Sequence, residues 1–140
     1  MAAFNKFQCF VADVSNKTHN LGSDTLKILL TNTAPVATNA VKADLTEISA
    51  GNGYTAGGNA AALTSSSQTA GLYKLILANP ATWTAAGGSI GPFRYAALYN
   101  STAASGNLVG YWDYGSAVTL ASGETFTVTL DASAGVLQLT

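Results

Sequence analysis

Few residues in this chain carry groups that can act chemically. There is one His, one Cys and seven carboxylates: Asp13, Asp24, Asp44, Glu47, Asp113, Glu124 and Asp131. Cys9 and His19 could in principle form a thiol nucleophile and its base. Cys9, however, is flanked by Phe7, Phe10 and Val11, and an apolar setting keeps a thiol protonated. A single imidazole cannot build a His-rich metal site. In the turn HNLGSDT its expected role is a hydrogen bond with Asp24. Asp113 is the carboxylate with a functional precedent: it lies between Trp112 and Tyr114, a setting found in sugar-binding clefts and some glycosidases. A glycosidase needs a second carboxylate at a defined distance, and the other six lie in turns or short segments. The plainer role for Asp113 is an ion pair with Arg94 on an adjacent strand, a contact that contributes a few tenths to about 1 kcal/mol. HExxH and G-x-x-x-x-G-K-[ST] do not occur, and GGSIGP (87–92) reads as the turn before the aromatic strands. No segment alternates Asp and Asn before a closing Glu, as a calcium loop does, and GNGYTAGGN holds no carboxylate. The sequence therefore assigns no catalytic residue, no cofactor and no metal site.

The elements that position these residues read as strands. Pro92–Gly115 is the central stretch. Phe93, Tyr95, Ala97 and Tyr99 alternate with Arg94, Ala96 and Leu98, and Leu108, Gly110, Trp112 and Tyr114 alternate with Val109, Tyr111 and Asp113. Period-two spacing with aromatic enrichment predicts a hairpin, and the small polar run 100–107 predicts its loop. Thr25–Asn32 is apolar on both faces and predicts an inner strand, or one covered by a neighbouring subunit. Further strands are predicted at 60–65, 71–78, 117–120, 125–130 and 136–139, with an extended run around Trp83. Ala43–Ile48 allows one short helical turn. The Gly-rich run 50–59 predicts bends around Tyr54 or a mobile surface segment. Residues 4–16 fit a helix stripe (Phe4, Phe7, Phe10, Val14) and a strand face (Phe7, Cys9, Val11) alike, and the strand reading is preferred. Eight or nine short strands with turn signals between them predict a single all-β domain over 1–140, an antiparallel β-sandwich of jelly-roll-like form. A closed barrel is the alternative.

Composition narrows the function classes. Hydrophobic residues make up 48% of the chain and charged residues only 9%, against roughly 25% charged in ordinary soluble domains. The formal net charge is −1, so like copies repel one another little. Such a surface suits life in an assembly, although Thr/Ser/Asn-rich extracellular β-proteins share it. Six scattered Lys and Arg residues make no nucleic-acid footprint. No membrane span is expected, and the first residues do not read as a signal peptide. With one Cys there is no internal disulfide. Only Lys27, Lys74 and Arg94 place positive charge in the well-defined strands, so the edges are either covered within the fold or used for pairing.

The segments DTLKILLTNTAPVATNAVKADLTEISAGNGYTAGG, TWTAAGGSIGPFRYAALYN, LVGYWDYG and GETFTVTLD together resemble a family of small tailed-phage virion structural proteins. The resemblance runs from about Phe4 to Leu139. It implies a virion component rather than an enzyme: a capsid decoration (cement) protein on the outer capsid surface, assembled in the host cytoplasm. It implies the major capsid protein as partner and a homo-oligomer, such as a trimer, with neither nucleic acid nor membrane involved. A neck, tail or fibre-associated role is the alternative, and a carbohydrate-binding β-sandwich a distant one. On this reading residues 1–16 are either an anchoring arm, through Phe4, Phe7 and Phe10, or the first strand of the core. Tyr54, Tyr99 and Tyr111 complete the candidate interface.

Overall fold

The structure, a computed structural model, describes residues 2–140. Among these residues the chain forms β1 (Asn5–Lys6), α1 (Cys9–Ser15), β2 (Leu26–Thr31), a 3-10 turn (Lys42–Asp44), β3 (Asn59–Ala61), β4 (Leu63–Thr69), β5 (Leu72–Leu77), β6 (Trp83–Thr84), β7 (Ile90–Asn100), β8 (Leu108–Leu120), β9 (Thr125–Phe126) and β10 (Leu137–Leu139). Every pairing is antiparallel. The main sheet runs β1-β8-β7-β2-β3, and a three-stranded sheet β10-β5-β4 and the pair β6-β9 form the rest. The fold is an all-β sandwich of antiparallel sheets.

The long hairpin organises it. Ala96 faces Trp112 and Leu98 faces Gly110, while β2 adds Ile28 opposite Leu98 and Leu30 opposite Ala96. Residues directly opposite in a ladder share a face. This inner face packs against Leu75 and Leu77 of β5, Leu137 of β10 and Trp83 of β6 in the main core. The other face of the same strands is covered too. Leu29, Ala97, Tyr99 and Leu108 close around Phe7 in a separate small cluster. That is why β2 is apolar on both faces: it lies between β7 and β3, inside the sheet.

The N-terminal segment departs from the strand expected over residues 4–16. Its strand lasts for two residues, Asn5 opposite Tyr111 and Lys6 opposite Gly110, and α1 follows. Alternation about β1 sends Phe4 to the main core, where its ring lies 5.2 Å from that of Trp112, and Phe7 to the back face. A side chain at Gly110 would collide with the Phe4 ring, so the glycine in this strand makes room for it. Phe7 and Phe10 are fully enclosed. Residues 5–16 are part of the body and not a free arm.

Other elements also differ from expectation. Ala60–Ser65 is two strands, β3 and β4, and Ala117–Leu120 is the end of β8. The strand expected at 125–130 is paired only at Thr125 and Phe126, because no neighbouring strand reaches residues 127–130. The Gly-rich run makes tight bends around a buried Tyr54. At Gly58, where φ is +73°, an added Cβ would strike the carbonyl of Ile28, so this close crossing over β2 requires glycine. Trp112 is 8% exposed and sits at the centre of the inner face. Trp112→Ala should therefore lower unfolding stability by about 3–5 kcal/mol in urea titrations. A change near zero would remove the ring from the core.

Candidate functional site

Asp113 and Arg94 pair as expected, but not by simple alternation: Tyr95 is the residue opposite Asp113, and the register shifts between Phe93 and Tyr95, where Arg94 lies. Arg94 donates from Nε to Asp113 Oδ1 at 2.8 Å and from Nη2 to Oδ2 at 3.0 Å, the two-pronged geometry that favours Arg over Lys. The Gly115 N–H also donates to Oδ1, at 2.8 Å. Both side chains are more than one-third exposed, so the pair is a modest stabiliser. The Arg94 guanidinium, then the Gly115 N–H, hold the Asp113 carboxyl below its ordinary 3.8. A carboxylate engaged in this way is neither a free base nor a raised-pKa acid.

Beside the pair runs an apolar groove of about 340 Å³. The buried Leu30, Ala96 and Trp112 line it together with the rings of Phe93, Tyr114 and Phe126. These rings interlock: Phe126 lies 4.9 Å from Phe93 and 5.6 Å from Tyr114, both edge-on. Tyr114 is 59% exposed. Thr127–Thr129 also line it, and their backbone groups make no hydrogen bond to other backbone groups among the described residues. No carboxylate, imidazole or thiol lines the groove. The arrangement can hold apolar or ring-shaped groups, and it lacks the paired acids that glycoside cleavage requires.

Four of the six candidate interface residues are in the interior. Phe7, Phe10, Tyr54 and Tyr99 are at most 4% exposed, so none offers surface to a partner. The two tyrosines pin the Gly-rich bends instead. Tyr54 Oη accepts from the Leu30 N–H at 3.1 Å and donates to Glu47 Oε1 at 2.7 Å, and Tyr99 Oη donates to the Gly57 carbonyl at 2.7 Å. Lys42 closes the set by pairing with Glu47 Oε2 at 3.1 Å. Burial pushes the Tyr54 phenol far above the usual tyrosine range, and it is a structural hydrogen-bonder. Phe4 and Tyr111 are half-buried. The Phe4 ring is spent on Trp112 and that of Tyr111 on Phe7, 5.2 Å apart.

Cys9 and His19 do not form a pair. The Cys9 thiol faces the carbonyls of Leu108, Ala40 and Asn39 at 3.6–3.7 Å. Burial, with Asp13 nearby, pushes its pKa up, which removes thiolate character. His19 reaches Asp24 through Asn100 and not directly. Among the described residues no three His, Cys, Asp or Glu side chains gather as metal ligands, and no helix is long and apolar enough to cross a membrane.

Among the sheet edges, two are long and poor in charge. β4 pairs only with β5, which leaves one side of Leu63–Thr69 without a neighbour. β8 beyond Trp112 is bordered only by β7. Neither LTSSSQT nor YGSAVTL contains a charged residue or a proline, the usual protections of an edge; the one charge on these edges is Asp113, held by Arg94. Sequence reasoning named the uncharged strands but not which of them are edges, because strand order is a tertiary property.

No family model, curated protein or solved structure matches the chain.

Asp44 and Asp131, like Asp113, are held below the ordinary 3.8, chiefly by backbone N–H groups of Ala40 and Ala134 respectively. A depressed carboxyl contributes stability above its unfolded pKa and loses it as pH falls through the folded value. Carboxyl-detected NMR should show Asp113 titrating below 3.8 and moving up toward it in Arg94→Ala. An unchanged midpoint would show that the ion pair is absent in solution.

Proposed function

We propose that the chain is a structural protein of a tailed-phage virion, a capsid decoration protein. It binds the major capsid protein on the outer face of the shell as a homo-oligomer. Two lines support this reading: the resemblance carried by the four segments quoted above, and the open, uncharged edge of β4. A seven-residue edge with small side chains and neither charge nor proline is free to pair with another chain. Antiparallel pairing of β4 with its own copy about a two-fold axis is self-complementary. Many such weak contacts over one particle add through avidity. The weak net charge, −1 on 140 residues, removes the long-range repulsion that would oppose dense packing.

A neck, tail or fibre-associated position in the same virion is the second reading. The specific observation in its favour is the groove beside the exposed Tyr114 ring, a feature fitted to ligand contact more than to shell coverage.

Quantitative mass spectrometry of purified particles separates the two. A copy number on the scale of the major capsid protein supports the shell role, and a small fraction of it supports the tail role. Absence from particles sinks both. The edge is tested separately by light scattering on the purified chain. The wild type should self-associate, and Ser65→Lys with Ser67→Lys should shift it to monomer with its fold retained. Equal masses for the two would exclude β4 as the contact.

A further inference from the structure

The polar group least explained by the fold is His19, whose side chain has no exposure. Its protonation state follows from its neighbours. Asn100, at the end of β7, is fully buried. Its Oδ1 accepts the backbone N–H groups of Thr102 at 2.9 Å and Ala103 at 3.2 Å. Those two bonds fix which way the amide points. Its Nδ2 therefore faces Asp24 Oδ2 at 2.6 Å and His19 Nδ1 at 3.0 Å. An amide nitrogen only donates, so Nδ1 must accept, and the ring is neutral with its proton on Nε2. Nε2 has no hydrogen-bond partner among the described residues. The nearest carboxylate oxygen, Asp13 Oδ2, is 3.9 Å away and already accepts from Asn107 Nδ2 at 3.1 Å.

The groups facing the ring come from every element around it. α1 supplies Asp13, and the turn before β2 supplies Asp24. β7 and the loop before β8 supply only the uncharged Asn100 and Asn107. The Phe10 ring of α1 stacks on the imidazole at 5.4 Å. A second proton would sit on Nδ1, donor against the Asn100 donor. Asn100 cannot turn over without abandoning Thr102 and Ala103.

We infer that His19 is an acid-sensitive latch on the N-terminal segment: protonation breaks its contact with Asn100 and loosens residues 5–16 from the body. What opens is set by the packing. Asp13 and Phe10, both on α1, are the parts of this segment that touch the latch. β1 adds a ladder of two residue pairs. Phe7 belongs to the small back-face cluster, while Phe10 belongs to the main core with Val14 packed against it, so an opening withdraws one ring from that core and leaves the β2–β7–β8 ladders paired. The two carboxylates favour the cation, but burial opposes it more strongly and lowers the ring's affinity for a proton from the ordinary 6.5. The open form then binds the proton better. The closed form is fully favoured above 6.5 and loses ground as pH falls below it.

The chain has a single histidine, so its NMR signals need no assignment by mutation. The expected spectrum at pH 7.5 is that of the Nε2–H tautomer, with titration below 6.5. Hydrogen exchange, normalised to intrinsic rates, is followed from pH 7.5 to 5.0, above the carboxylate range. Opening of residues 5–16 should begin to rise near pH 6.5 and level off at the NMR midpoint of His19. The gain is about tenfold for each pH unit between those two values. Amides of β2 and β7 should keep their protection, and His19→Gln should abolish the pH response. An Nδ1–H tautomer, a flat wild-type profile, a response that survives His19→Gln, or a parallel rise across β2 and β7 would overturn the latch. If His19→Gln does not fold, agreement between the wild-type exchange profile and the NMR titration decides.

Discussion

The structure depends on one constraint: the β7–β8–β2 ladder is buried on both faces. A sheet strand normally offers one face to the core and one to water. Here the inner face carries Ile28, Leu30, Leu98 and Trp112 into the main core, and the outer face carries Leu29, Ala97, Tyr99 and Leu108. Something must cover the outer face: the N-terminal segment and the stretch around Leu45 pack there, and Lys42 and the Gly57 carbonyl meet Tyr99. Phe7 is thus committed before any partner arrives. The same requirement sets Phe4 and Phe7 on opposite sides of a two-residue strand. It also brings α1 against the His19 turn.

Much of this was legible from alternation alone. β2, β5, β7 and β8 appear where period-two runs of branched and aromatic residues lie, because their faces are simple. The ion pair of Arg94 with Asp113 was legible only as adjacency on neighbouring strands: the irregularity between Phe93 and Tyr95, which lets Arg94 join Asp113 although Tyr95 lies opposite it, left no mark in the alternation. The segment 4–16 was not legible, since it uses both periods in succession, a strand of two residues and then a helix of seven. Neither period runs long enough to dominate. The end of β9 was hidden because Phe126, Val128 and Leu130 alternate as a strand should, while pairing depends on a neighbour that sequence does not specify. The candidate surface rings failed for a related reason. Tyr54 and Tyr99 lie in or beside Gly- and Asn-rich stretches that look exposed. Their hydroxyls find partners only when loop 50–59 folds back over β2.

The electrostatics complete the picture. Six of the seven carboxylates accept a backbone N–H: Asp24 from Asn20, Asp44 from Ala40 and Val41, Glu47 from Gly57, Asp113 from Gly115, Glu124 from Ala121, and Asp131 from Ser133 and Ala134. The seventh, Asp13, accepts from the Asn107 side chain. In a chain this poor in charge, the acids are committed to closing turns, where an Asx or Glu oxygen replaces a missing ladder partner. Little charge is left to guard the sheet edges. The neutrality of β4 and of the end of β8 is therefore tied to how the loops are held, and is not an independent property of the surface. A copy-on-copy role and a carboxylate-based active site compete for the same few acids. The turns have already claimed them: each acid that either role would draw on also holds a turn or a neighbouring side chain in place.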